Sequence, residues 1–413
     1  MGFNVWQEKG IPLEKQIRNW ETLDVQPYSK LDVDPYTRTR GILMNGIEVE
    51  AALFLHQFAR HVEDMDLKRN LAMVRRVEQQ QQKMVNWMIP ASESTLEVTI
   101  GYEQVAVDLT AYLARTEPDP YVKAALDFAL LEDFDHLYRY ANLLEMDDGI
   151  KAERIVGDYT EIMPGRPTMD EHRHPFDSVR KHVDCKTADP LTNMHILTIT
   201  AAEQQTMNYY MNVGNRYPSM LGRGLYLEIA QIEEQHVSHY ESLADPNCTW
   251  LEMMAMHDYN EAYMYWSCMQ SEPDPRVKQI WQTHLEMELA HLHYDRELVK
   301  QMENKDIAEM LPGEFPQPTI MQSNKDYVRQ VMAEQTSLTA NGTEFVPVDS
   351  LPKDHRFYSY QKMVNGNGFV PSRDVIKEHI EKRGQDYRVE TEGPHPVEKL
   401  RARHEVPAEA MPY

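Results

Sequence analysis

The sequence has few basic residues and no long apolar run. Its 42 lysines and arginines stand against 66 aspartates and glutamates, which gives a net charge of −24. Because this excess repels phosphate backbones, we do not expect nucleic acid as a partner. No stretch approaches the roughly 18 consecutive apolar residues that a membrane-spanning helix needs, so no membrane partner is predicted either.

Cysteine is also scarce, with Cys185, Cys248 and Cys268 as the only three. Their spacing forms no CxxC pair, disulfide framework or rubredoxin-like cluster. The first residues, MGFNVWQEKG, lack the basic and apolar segments of a signal peptide. The sequence therefore predicts a cytoplasmic protein with reduced thiols.

The chain contains a long region of helical periodicity between two irregular regions. Residues 1–45 are predicted to form an extended N-terminal arm, and residues 304–413 an irregular C-terminal extension with little helix. Between them, residues 46–303 have apolar residues at i, i+3, i+4 and i+7. They predict one all-α domain of four helical hairpins, at about 46–88, 93–147, 192–245 and 249–303, with a crossover at 148–191.

Start signals support these helices. Ser94 with Glu97 has the spacing of a capping box, and so has Thr249 with Glu252. Two further helices are predicted to start at an Asp-Pro pair, at residues 119–120 and 274–275, where aspartate is the N-cap and proline the first helical residue.

Each hairpin repeats one pattern of chemical groups, namely an acid, a second acid 30 residues later, and a histidine or glutamine three residues after that. The four sets are Glu48, Glu78 and Gln81; Glu103, Asp133 and His136; Glu203, Glu233 and His236; and Asp258, Glu288 and His291. Residues i and i+3 share a helix face, and a partner helix returns to the same height after a short turn. Two hairpins therefore offer four carboxylates and two imidazoles, a ligand set that suits two iron or manganese ions.

This pattern resembles the ferritin-like di-iron carboxylate superfamily, and its spacing is most similar to hydroxylase subunits of bacterial multicomponent monooxygenases. The resemblance covers residues 93–245 and extends toward 303. It implies a ferritin-like four-helix bundle elaborated with additional hairpins. It also implies one metal on Glu103, Asp133 and His136, and the other on Glu203, Glu233 and His236. Asp133 departs from the usual glutamate, so Glu132 is an alternative ligand, or a residue that orients a ligand histidine.

Two pairings of hairpins are open. The long 148–191 connection favours pairing the second hairpin with the third, because ferritin-like bundles use a long crossover there. The alternative pairs the third with the fourth, which would replace the ligands of the second hairpin by Asp258, Glu288 and His291. The first hairpin, which has Gln81 instead of histidine, is interpreted as a degenerate copy kept for packing.

The functional hypothesis is an oxidoreductase that activates O2 or peroxide at two iron ions, or at manganese or an iron–manganese pair. It would hydroxylate, N-oxygenate or desaturate a small organic substrate, with Tyr140 and Tyr240 as candidate catalytic tyrosines. One alternative is a ferroxidase- or peroxidase-type protein for iron or reactive oxygen. Another is a non-catalytic scaffold with a relict site. An electron-donor protein is an expected partner, and a homodimer is the expected assembly.

Overall fold

The structure is a computed structural model that describes residues 3–405. Helix dominates this part of the chain. The first seven α-helices are α1 (Trp20–Leu23), α2 (Pro35–Arg60), α3 (Met65–Asn86), α4 (Thr95–Thr116), α5 (Pro120–Asp147), α6 (Glu153–Val156) and α7 (Thr168–Glu171). They are followed by α8 (Pro190–Val213), α9 (Met220–Glu241), α10 (Trp250–Ser271), α11 (Pro275–Glu303), α12 (Lys325–Gln335), α13 (Arg356–Asn365) and α14 (Pro371–Arg383). A small antiparallel pair, β1 (Leu338–Asn341) and β2 (Glu344–Pro347), lies between α12 and α13.

The all-α prediction is confirmed, and the helices predicted for the four hairpins are α2 and α3, α4 and α5, α8 and α9, and α10 and α11. The two helices of the first, second and fourth pairs pack on each other. Their start signals also act as expected. Capping boxes form at the starts of α4 and α10. Asp119 caps α5, and Asp274 caps α11, each with proline at the first helical position.

Two predictions about the flanking regions are wrong. Helix α2 begins at Pro35, inside the predicted arm, because Asp34 and Pro35 form the same Asp-Pro start signal as the later helices. The C-terminal extension contains α12, α13 and α14 instead of little helix. In α12 the buried Val328, Val331 and Met332 have the spacing of an amphipathic helix, which the surrounding prolines and glycines obscured. The division into arm, domain and extension stays a prediction.

The chain forms two compact units, each made of separate segments. The first unit contains the chain up to Ser92 together with His182–Gln205 and Ala244–Met321. Within it, α10 packs on α11 and α2, and α2 packs on α3. The second unit contains Glu93–Lys181, Thr206–Leu243 and the chain from Gln322 onward. Within it, α5 contacts α4, α9, α12 and α14.

The core of the second unit surrounds the motif on α5. Leu130, Phe134 and Leu137 belong to a buried apolar cluster, at 0–1% exposure. Burying each such side chain contributes roughly 1.5–3 kcal/mol. The polar groups between them are therefore held in a dry interior, where each needs a partner.

A disulfide joins Cys185 to Cys248 within the first unit, and Cys268 remains a buried free thiol. The expectation that the cysteines form no disulfide is therefore wrong. Their 63-residue separation gave no spacing motif, so only the fold brings the two thiols together. Among residues 3–405, every helix is too short or too polar to cross a membrane.

Candidate metal centre

Asp135 fixes the crossover segment onto α5. Its carboxylate accepts hydrogen bonds from the backbone N–H groups of Gly165 (3.0 Å) and Thr168 (2.8 Å), and it pairs with Arg139 (2.8 Å). The crossover approaches so closely that a Cβ on Gly165 would lie 2.2 Å from the Leu131 carbonyl oxygen. Glycine at this position therefore allows the crossover to reach the motif.

Glu132 orients a histidine and neutralises two arginines. Its Oε2 accepts from His236 Nε2 at 2.7 Å, and its Oε1 accepts from Arg166 at 3.0 Å and Arg173 at 2.5 Å. Burial opposes ionisation of this carboxyl, but Arg173, His236 and Arg166 outweigh it and lower its pKa. Of the two roles that the sequence left open for Glu132, this geometry matches the orienting one.

The two histidines of the motif have the same arrangement. His136 Nε2 lies 2.9 Å from Glu171 Oε2, and His236 Nε2 lies 2.7 Å from Glu132 Oε2. In each ring, Nδ1 faces the other way, toward Glu233. When the outer nitrogen carries the proton, the inner nitrogen has a lone pair for a metal, and this is the usual arrangement of metal-binding histidines.

Glu233 lies between these two imidazoles. One carboxylate oxygen is 3.1 Å from His136 Nδ1 and the other is 3.2 Å from His236 Nδ1. The two ring centroids are 6.0 Å apart. Burial would raise the pKa of Glu233, but the two histidines outweigh burial and lower it to about 2. The ionised carboxylate thus joins the two halves of the cluster.

Glu103 and Asp133 complete the part of the centre within the second unit. Ligand atoms of Glu103, His136 and Glu233 lie within 4.8 Å of one another, and so do those of Asp133, Glu233 and His236. The Asp133 Oδ1 atom is 3.3 Å from His236 Nδ1 and 4.0 Å from His136 Nδ1. Burial raises the pKa of both Glu103 and Asp133.

The remaining predicted site residues are placed differently. Glu203 is buried, but it lies on the part of α8 that belongs to the first unit, so its membership of the centre stays a prediction. Tyr140 is buried against the rings of Tyr210 and Tyr226, and its hydroxyl has no hydrogen-bond partner among the described residues. Tyr240 is buried beside the His239 ring.

Sequence reasoning missed three kinds of contributor. The tyrosine that contacts the cluster is Tyr210, whose hydroxyl donates to Glu103. Glu171 comes from the crossover, where its only signal in the sequence is that other charged residues lie next to it. Arg166 and Arg173 also come from the crossover, and no periodic pattern connects them with α5. The contacts of Glu171, Arg166 and Arg173 with α5 are long-range contacts that no helical spacing predicts.

The histidine contacts match the pairing of the second hairpin with the third better than the pairing of the third with the fourth. His291 of α11 lies 3.0 Å from Glu78 of α3, so the fourth hairpin meets the first. The contacts of His136 with Glu233 and of Glu132 with His236 bring the second hairpin to the third, as the crossover length predicted. The first hairpin contributes more than packing, because its Glu48 and Glu78 are fully buried in polar contacts.

The donor set of the second unit fits metal ions. Buried side chains offer carboxylate oxygen or imidazole nitrogen toward one another with few hydrogen-bond donors between them, and Glu103 Oε2 has none among the described residues. Buried carboxylates without donors are costly unless a cation neutralises them. Hard oxygen with imidazole suits Fe²⁺ or Mn²⁺.

A cavity of about 370 Å³ lies in the same unit, between α9 and the C-terminal extension. Its wall includes Arg173 and Gln235 but none of the six predicted ligands. Arg173 links it to the centre, because the guanidinium contacts Glu132, which in turn holds His236.

Comparisons with known proteins add no relative. Neither a family model, nor a curated protein, nor a solved structure matches this chain.

Proposed function

We propose that the second unit contains a ferritin-like dimetal-carboxylate centre and that the protein is an oxidoreductase that activates O2 or peroxide. The observation that carries this proposal is the position of Glu233, with one carboxylate oxygen at each histidine Nδ1. A carboxylate in this position suits a bridge between two metals, each with its own imidazole. The resemblance of the spacing and the donor chemistry both support it.

The proposed ligands are four carboxylates and two histidines, namely Glu103, Asp133, His136, Glu203, Glu233 and His236. Two bound iron or manganese ions would supply two-electron reduction of O2. The protein side chains around them have separate tasks. Glu132 and Glu171 hold the imidazoles in orientation, and Arg166 and Arg173 keep Glu132 ionised. The apolar residues of α5 keep water away from the carboxylates.

Tyr210 is the tyrosine that this proposal places closest to the chemistry. Its hydroxyl donates to Glu103, so it holds a proton at the edge of the ligand set. Burial raises its pKa well above the ordinary value, which keeps the hydroxyl protonated. Tyr140 packs against the Tyr210 ring at 5.3 Å between centroids, as a supporting residue.

Metal analysis tests the centre. In protein purified without chelator, the second unit is expected to account for about two iron or manganese ions, and these ions are lost in a His136→Ala/His236→Ala double variant. His404→Ala is the matched control, because His404 is exposed and distant in sequence from the ligands. Equal metal content in the double variant and the control would refute the proposal, provided that circular dichroism shows both chains folded.

Oxidation of iron itself is a second candidate, favoured because none of the six ligands lines the 370 Å³ cavity. Oxygen uptake after anaerobic loading with Fe²⁺ separates the two functions. A ferroxidase consumes O2 in proportion to added Fe²⁺ and accumulates Fe³⁺. An oxygenase needs a reductant and an organic substrate for continued uptake. The first candidate, the oxygenase, would act on a small organic substrate, take electrons from a donor protein and assemble as a homodimer.

A further inference from the structure

The first unit contains a second buried acidic cluster, built from α2, α3, α10 and α11. Its members are six carboxylic acids and one histidine, all at most 4% exposed: Glu48, Glu78, Asp258, Glu261, Glu288, Asp295 and His291. Five of them follow the hairpin pattern of the second and third hairpins, and each lies 55 positions from its counterpart. Thus Glu78 corresponds to Asp133, and His291 to His236.

His291 has the orientation of a metal ligand. Its Nε2 is 2.6 Å from Gln16 Oε1, an amide oxygen that only accepts, so this nitrogen carries the proton. Nδ1 faces Glu78 Oε1 at 3.0 Å and Glu288 Oε2 at 2.9 Å, so it donates a proton to these carboxylates or, when a cation displaces that proton, offers its lone pair to the cation. An outer amide oxygen that fixes the tautomer is the support that metal-binding histidines typically have.

Glu261 points into the same cluster without a hydrogen-bond donor. Both of its carboxylate oxygens are buried and lack one among the described residues. One oxygen lies within 4.8 Å of ligand atoms of Asp258 and Glu288, which are themselves carboxylates. Buried carboxylates that face one another without donors are costly unless a cation neutralises them.

Gln81 stands where the second unit has His136, and it changes the number of metal positions. Its amide donates to Glu288 Oε1 at 2.5 Å and to Glu48 Oε1 at 3.2 Å. An amide N–H group neutralises part of a carboxylate charge but does not bind a metal. The amide therefore occupies one side of the cluster, while the side with His291 keeps free ligand atoms.

From these contacts we propose that the first unit binds one divalent cation of the Mn²⁺ or Fe²⁺ class, separate from the centre of the second unit. The proposed ligands are His291 Nδ1 and carboxylate oxygens of Glu78 and Glu288, whose ligand atoms lie within 4.8 Å of one another, and Asp258 and Glu261 adjoin them through Glu288. Oxygen-rich coordination with a single imidazole suits these hard ions. The site does not depend on the dimetal proposal, because its residues belong to the other unit.

Mn²⁺ alone is the probe. The full chain, stripped with chelator, carries His136→Ala and His236→Ala so that the second unit no longer competes. Equilibrium dialysis is expected to give about one Mn²⁺ per chain, with the six-line electron paramagnetic resonance spectrum of an isolated ion. Further substitution of His291→Ala is expected to remove it. His293→Ala, two residues along the same helix, is the matched control and should retain it.

The outcomes separate this site from the first proposal. A folded double variant that binds no Mn²⁺, or binds it equally with His291→Ala, would overturn the second site. In the otherwise unchanged chain, His291→Ala should lower the metal count by one, whatever the second unit binds. Gln81→His should raise the count by one and weaken the six-line spectrum through spin coupling. An unchanged count there would contradict the role given to the amide.

Discussion

Replacement of Glu132 by glutamine tests the electrostatic support of the proposed dimetal centre. The new amide would keep an acceptor for His236 but remove the negative charge between two buried guanidinium groups. Arg166 retains the carbonyl oxygens of Phe128 at 2.8 Å and Gln335 at 3.2 Å. Arg173 has no other side-chain hydrogen bond among the described residues. The loss of the carboxylate charge therefore leaves mainly Arg173 without a partner.

Leaving one partner of a buried ion pair uncompensated costs about 3–5 kcal/mol, and we expect about 3 kcal/mol because Arg166 keeps its other acceptors. In a unit of about 220 residues, each kcal/mol lowers the unfolding midpoint by about 2–4 °C. The midpoint at pH 7 should thus fall by roughly 6–12 °C. Metal affinity should fall about 10- to 100-fold, as for other residues that orient ligands.

Differential scanning calorimetry and Mn²⁺ dialysis measure both effects. Glu234→Gln is the matched control, because Glu234 is an exposed carboxylate on the same helix as His236 and surface substitutions change stability by at most about 0.5 kcal/mol. The assignment of Glu132 as an essential counter-charge is wrong if two results are found together. The unfolding midpoint of Glu132→Gln would lie within roughly 1–2 °C of that of the control, and the variant would bind Mn²⁺ as tightly as the control.

Three further predictions concern other residues. Tyr210→Phe should destabilise the metal-free protein by about 1–3 kcal/mol in urea titrations, because a buried carboxylate loses its donor, whereas Tyr140→Phe should be nearly neutral; equal effects would contradict this. Burial raises the pKa of Cys268 to about 12, so mass spectrometry should find no iodoacetamide labelling at pH 8 until the chain unfolds; prompt native labelling would argue against burial. Burial opposes ionisation of Glu161, but the ion pair with Arg329 outweighs burial and lowers the pKa of this carboxyl. The pair therefore stabilises the fold fully above about pH 4.5, and this stabilisation is lost as the pH falls through the folded-state pKa of Glu161. Glu161→Gln should therefore lower the unfolding midpoint at pH 7, and the difference should shrink toward pH 3; a constant difference would contradict the ion pair.

The long helices and their starts were predictable because they depend on local signals. The capping residues Ser94 and Thr249 act where their spacing indicated. The pairing of the second and third hairpins followed from the length of one connection. The start of α2 at Pro35 depends on the same kind of local signal, because Asp34-Pro35 repeats the Asp-Pro pairs that begin α5 and α11.

The outer layer of the centre was not predictable from spacing. Glu171 and Arg173 reach their partners on α5 only after the crossover folds back, over 35 residues to His136 and 41 to Glu132. Tyr210 follows the predicted ligand Glu203 by seven residues, two helical turns, and that face could have been searched. Tyr140 lies four residues after His136, one helical turn, but its hydroxyl has no hydrogen-bond partner among the described residues.

The segmented first unit has a consequence for synthesis on the ribosome. Glu48 and Glu78 are translated roughly 200 residues before Glu288 and His291, a delay of about 10–40 s at typical elongation rates. During that interval α4, α5 and α9 have all emerged, so the second unit's histidines and acids can meet first. Closing the longer loop adds only a modest entropic cost, so the delay comes mainly from translation. The ligands proposed for the second unit end at His236 and those proposed for the first end at His291, so we expect a nascent chain to present the former set first, while α12 and α14 join the second unit last.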